Sequence, residues 1–157
     1  MQEFEIALYN SEKSFNEYTE NIVDQVAANL GISIAWLPQQ HQELSFPCVR
    51  STFLYNGQLN KGRHKYEALI QISVFTNKFQ KGLANRIIGS ILTQLDLSIG
   101  NTLMEADVPQ VNWINNVYPI GHPLEDMTLE LDSKPELRPD DDIQITHLQT
   151  DFKLYFN

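Results

Sequence analysis

Apolar side chains along this chain repeat with two periods, and each period marks a different kind of element. Over residues 67–76 the repeat is two: Ala68, Ile70, Ile72 and Val74 point one way, Leu69, Gln71, Ser73 and Phe75 the other. The first set is wholly apolar and belongs to a core. The second mixes two large apolar groups with two small polar ones, so what it meets is an open question. Over residues 11–30 the repeat is three to four, with Phe15, Tyr18, Ile22, Val26 and Leu30 on one stripe. That predicts an amphipathic helix, begun by Ser11 or Ser14 (Glu17 stands at capping-box distance from Ser14) and ended by Gly31. Residues 82–96 carry a second helical stripe: Leu83, Ile87, Ile91 and Leu95, widened by Ala84, Ile88 and Leu92.

The remaining segments read as strands and turns. A short strand is expected over residues 32–37, stopped by Pro38. Residues 38–47 form a polar loop. Residues 49–55 form a strand that turns at Asn56-Gly57, with the connection running on to Gly62, and pairs with a long strand over about 63–76. After Gly100 the helical period is lost. Two strands are expected at 101–108 and 111–120, joined by Pro109-Gln110. Residues 121–142, rich in Pro, Asp and Glu, predict an extended loop or arm with at most a short strand at 127–131. In the last segment Ile143 and Ile145 are odd-numbered while Leu148, Phe152, Leu154 and Phe156 are even, which predicts a bulge near Thr146 or His147. The sum is an α+β fold: one antiparallel or mixed sheet packed with two helices, in a single domain over residues 1–157.

Size and charge narrow the class. A chain of 157 residues with 42% hydrophobic content can bury roughly two-thirds of its unfolded surface without staples. The single Cys48 rules out an internal disulfide and fits a reducing compartment. No apolar run approaches the roughly 20 residues of a membrane span, and the acidic start lacks the basic region of a signal peptide. A soluble protein without membrane association is expected. The net charge of −9 disfavours a tight grip on nucleic acid. The charge is uneven: Arg50, Lys61, Arg63, Lys65, Lys78, Lys81 and Arg86 oppose only Glu67 over residues 50–86. Residues 125–142 hold Glu125, Asp126, Glu130, Asp132, Glu136, Asp140, Asp141 and Asp142 against Lys134 and Arg138.

Motifs for chemistry are missing. The chain contains no G-x-S-x-G, H-E-x-x-H, P-loop or G-x-G-x-x-G. Cys48 has no histidine in local sequence to generate a thiolate and reads as a core residue. His41, His64, His122 and His147 are scattered without ligand spacing. Asp140-Asp141-Asp142 lacks the alternation and turn glycine of a calcium loop. Trp36 and Trp113 read as core or interface anchors, since base stacking would need surrounding cations. The expectation is a non-enzymatic chain with no cofactor and no metal.

The order of elements, with the segments FPCVRSTFLYNG, HKYEALIQISVFTN, KGLANRIIGSILTQL and THLQTDFKLYFN, resembles the tail terminator, or tail completion, proteins of long-tailed bacteriophages. The likeness lies in a proline before an apolar strand containing Arg50, a strand ending VFTN that runs into a helix, and an aromatic-rich final strand. It spans roughly residues 12–156; the acidic segment 121–142 lies outside the family pattern. The resemblance implies a structural virion subunit in the tail or neck that forms a hexameric ring on the tail-tube protein. Such a ring stops tube growth and faces the head-side neck or connector protein, while genomic DNA passes the lumen without specific binding. A head–tail joining protein is the near alternative, and a small monomeric binding module with an acidic arm a third.

A ring needs two unlike patches on each subunit, so that heterologous contacts close into a circle. The charge map suggests them: Lys61, Arg63 and Lys65 on one copy facing Glu125, Asp126, Glu130, Asp132 and Asp140–Asp142 on the next. Exposed ion pairs contribute about 0–1 kcal/mol each, so they would set register more than affinity. Apolar burial is expected from Leu69 and Phe75 on the mixed strand face and from Leu59 at the hairpin tip. The competing expectation is that one helix covers each sheet face and leaves nothing for a neighbour.

Overall fold

The computed structural model describes residues 3–38, 43, 45–61, 64–95, 102–105, 108–111, 116–118, 120–138 and 145–157, with backbone only at 55–61, 102–105, 108–111, 116–117, 131 and 134. Helix α1 spans Glu3–Leu30, β1 Ala35–Leu37, β2 Cys48–Lys61 and β3 His64–Asn77. Helix α2 spans Lys81–Leu95. Then come β4 Thr102–Glu105, β5 Val108–Val111, β6 Asn116–Val117, β7 Thr128–Leu137 and β8 Ile145–Phe156. Six strands form one mixed sheet in the order β1-β2-β3-β8-β7-β6, parallel only between β1 and β2. The β4–β5 hairpin is a separate ribbon packed against α2. The fold is α+β, as the two hydrophobic periods imply. No helix among the described residues is long and apolar enough to cross a membrane.

Helix α1 begins about two turns earlier than the serines suggest. Phe4, Ala7 and Leu8 extend its apolar stripe and pack against the core, and Glu3 and Glu5 suit the positive end of the helix. Ser11 is not a cap. It is buried inside the helix, and its hydroxyl donates to the Leu8 carbonyl at 3.0 Å, a local bond that lets serine face a core. The C-terminus is as read: Gly31 takes φ 69°. Its amide bonds the Ala28 carbonyl, and the Ile32 amide bonds that of Ala27, the paired bonds of a Schellman end.

Both helices lie on the same face of the sheet. Phe15, Ile22, Val23 and Val26 of α1 share one core with Ala84, Ile87, Ile88, Ile91, Leu92 and Leu95 of α2. The sheet meets them with Val49 of β2, Ala68, Ile70, Ile72 and Val74 of β3, and Leu148, Phe152, Leu154 and Phe156 of β8. Phe15 stacks edge-on against Phe53 at 5.8 Å. The expectation of one helix on each face is therefore not met.

Four local expectations are corrected. Asn56-Gly57 is not the hairpin turn: β2 continues to Lys61, which opposes His64, and the dipeptide marks a register shift between Tyr55 and Gly57. Pro109-Gln110 lies inside β5, where Pro109 faces Met104; an edge position tolerates its missing N–H. The last strand carries no bulge. β8 pairs with β3 in unbroken register from Asn77↔Ile145 to Tyr66↔Phe156, and Ile145 is odd because it packs on the other face, against Leu37, Cys48 and Phe75. Finally, residues 128–137 are not an extended arm but strand β7, paired with β8. β6 pairs with Thr128 and Leu129, so among the described residues most of β7 is a sheet edge. Proline, charge and the register shifts at 131–136 are what such edges carry.

Candidate functional site

With both helices on one side, the opposite face of the sheet is covered by no helix or strand among the described residues. Register lays it out in rows. Arg50, Ser73, Gln149 and Glu136 form one row across β2, β3, β8 and β7. Thr52, Gln71, Asp151 and Ser133 form the next, and Leu54, Leu69, Lys153 and Glu130 the one after. Beyond them Glu67 opposes Tyr155.

The two ends of this face differ. Towards β1, Leu37, Cys48 and Phe75 make a small buried cluster. His147 stacks on Phe75 at 4.2 Å, and the Arg50 guanidinium lies 5.7 Å from the same ring. Burial pushes the Cys48 thiol up, against weaker lowering by the Ser45 backbone and Arg50. Cys48 is thus an inert core thiol, as its sequence context suggests. The middle and far side carry acid. Lys153 pairs with Asp132 at 3.7 Å, and the Tyr155 hydroxyl donates to Glu130 at 2.9 Å. Burial, then the Glu130 carboxylate, raises the Tyr155 phenol far above its ordinary range. Leu54, 38% exposed, and its cross-strand partner Leu69, half-buried, form an apolar strip between these polar rows.

The residues singled out in sequence scatter differently. Phe75 is sealed within its own chain, only 6% exposed, and offers no free apolar area. Leu69 faces the open side. The backbones of Leu59 and Lys61 lie in β2, while Arg63 and Asp140, Asp141 and Asp142 fall outside the described residues. Lys65 meets Glu3 of its own chain at 3.4 Å, with both side chains exposed. Its amide donates to the Asn157 side chain, whose NH₂ donates to Asp126. Lys65 and Asp126 thus stand at one end of the same subunit. Glu125 accepts the Gly121 amide; Glu130 and Asp132 lie on the open face described above.

Sequence reasoning missed one feature. Phe79, in the turn between β3 and α2, is 90% exposed and takes φ 72°, a conformation that costs a non-glycine residue energy. The Lys78 ammonium lies over its ring, 4.9 Å from the centroid. The signal was present: a phenylalanine set between two lysines in a polar turn.

Among the described residues no group of three or more His, Cys, Asp and Glu side chains is placed to hold a metal ion. A shallow cleft of about 140 Å³ lies between α1 and the chain's last residues, lined by Asn10, Ser11, Glu125, Asp126 and Asn157 among others. The Ser11 hydroxyl on its wall donates to the Leu8 carbonyl of its own helix. No protein-family model matches the chain, and no curated protein matches it significantly.

Proposed function

We propose that this protein is a structural ring subunit of a bacteriophage tail or neck, acting as the tail terminator. The observation that carries the reading is the one-sided packing of the sheet: both helices on one face, and on the other a strip of leucine among charged rows. Such a surface suits a subunit that is completed by its neighbour. The resemblance in the strand and helix segments supplies the particular assembly. In this reading copies close into a ring, hexameric by the family likeness, on the last ring of tail-tube protein, and present a second surface to the head-side neck protein. The net charge of −9 suits a lumen through which DNA slides without being gripped.

Virions assembled without the protein test the reading. Tails of uncontrolled length are the expected result. Tails of normal length that lack heads would identify a head–tail joining protein instead. Purified protein that stays monomeric and does not bind tail tubes would refute a ring subunit of either kind and favour a monomeric binding module.

A further inference from the structure

We propose that the corner between β3 and α2, with Phe79 at its tip, docks onto the Leu54–Leu69 strip of the open sheet face of a neighbouring copy. The inference rests on the ring reading and assigns that ring its two contacting patches. Phe79 is held in the left-handed region at φ 72° with its ring almost wholly exposed. The turn that carries it is held by the Gln80 amide on the Asn77 carbonyl at 3.1 Å and by the Asn77 amide on the Gln80 side-chain oxygen at 3.3 Å, and a large aromatic ring displayed on a fixed turn is suited to be the centre of an interface. The flanking cations Lys78 and Lys81 are both exposed.

The receiving surface has the matching chemistry. Leu54 and Leu69 are paired across β2 and β3 and only partly buried. Glu67 and Asp151 stand two residues from Leu69 or its β8 partner Lys153 along their strands, on the same face. An aromatic ring on the leucines, with a lysine beside a carboxylate on its rim, gives an apolar centre within a charge-complementary border. The knob lies at the end of β3 that begins α2, and the strip on the face away from α2. Two different patches on one chain make the contact heterologous, the kind that closes into rings.

The test uses two single variants of the full chain, sized by light scattering and analytical ultracentrifugation. Phe79→Gly removes the knob and suits the positive φ, so its fold is at least as stable as the wild type. Leu54→Lys places a cation under the incoming lysines at a position already part-exposed. Each variant alone is expected to be monomeric, with association weakened by at least about 30-fold. Mixed one to one, they are expected to give a dimer that grows no further, because one intact knob and one intact strip remain. Variants that assemble like the wild type, or a mixture that stays monomeric, would overturn the proposed patches and leave the ring reading standing. A wild type that is monomeric at every concentration would sink both.

Discussion

The unequal faces of β3 make a quantitative prediction that a single strand can test. Ile72 and Leu69 lie three residues apart on opposite faces. Ile72 is fully buried, with Ser51 and Thr150 as its cross-strand partners and the two helices above it. Truncation to alanine leaves a cavity that close packing cannot refill, and costs about 2–5 kcal/mol. Leu69 lies between Leu54 and Lys153 with no helix over it. Losing three carbons at about 0.8 kcal/mol each, cut by about a third because the side chain is only partly buried, costs about 1.5 kcal/mol. For a chain of this size about 3 kcal/mol lowers the melting temperature by roughly 6–12 °C, and about 1.5 kcal/mol by roughly 3–6 °C. The assay is urea and thermal unfolding of Ile72→Ala and Leu69→Ala at high dilution, where neighbours dissociate. Repeated at high concentration, Leu69→Ala should lose more, because assembly stabilises only the form that makes the contact. Equal losses for the two variants at high dilution would mean that the face bearing Leu69 is already covered within the subunit, and the reasoning about an open face would fail.

Two further outcomes follow from local geometry. His122 stacks on Tyr118 at 4.4 Å, accepts the Leu124 amide through Nδ1 at 3.0 Å and has Nε2 3.3 Å from the Tyr18 hydroxyl. An accepting Nδ1 belongs to the neutral ring, and burial lowers the pKa from its ordinary 6.5. The unfolded chain therefore binds the extra proton more readily. The stabilisation is full above about pH 6.5 and is lost as pH falls below it. With Glu125 and the two tyrosines left in place, His122→Phe should flatten the fall in unfolding midpoint between about pH 7.5 and pH 5.5; an unchanged slope in the variant refutes the assignment. At Gly31 a Cβ would meet nothing within 4 Å, so only the backbone at φ 69° resists substitution. Gly31→Ala should cost about 1–2 kcal/mol in thermal unfolding, and Gly31→Asn less.

What sequence alone determined here is whatever depends on side-chain period and local backbone chemistry. The period of two over β3 identified its core face, and the stripes of Phe15 and Ile87 identified both helices, because burial of one face imposes that spacing directly. Gly31 ended α1 as read, since the left-handed position is a local need. What only tertiary structure decided is which surfaces meet. Ser11 faces the core because a backbone carbonyl satisfies it. The acidic segment became a strand because β8 offered it an edge, and β7's proline and charges are tolerated there. Phe75 left the candidate interface because Leu37, Cys48 and Ile145 arrived beside it from distant positions. The placement of both helices on one side leaves no local trace: an amphipathic helix announces that it has an apolar face, never which side of a sheet will receive it.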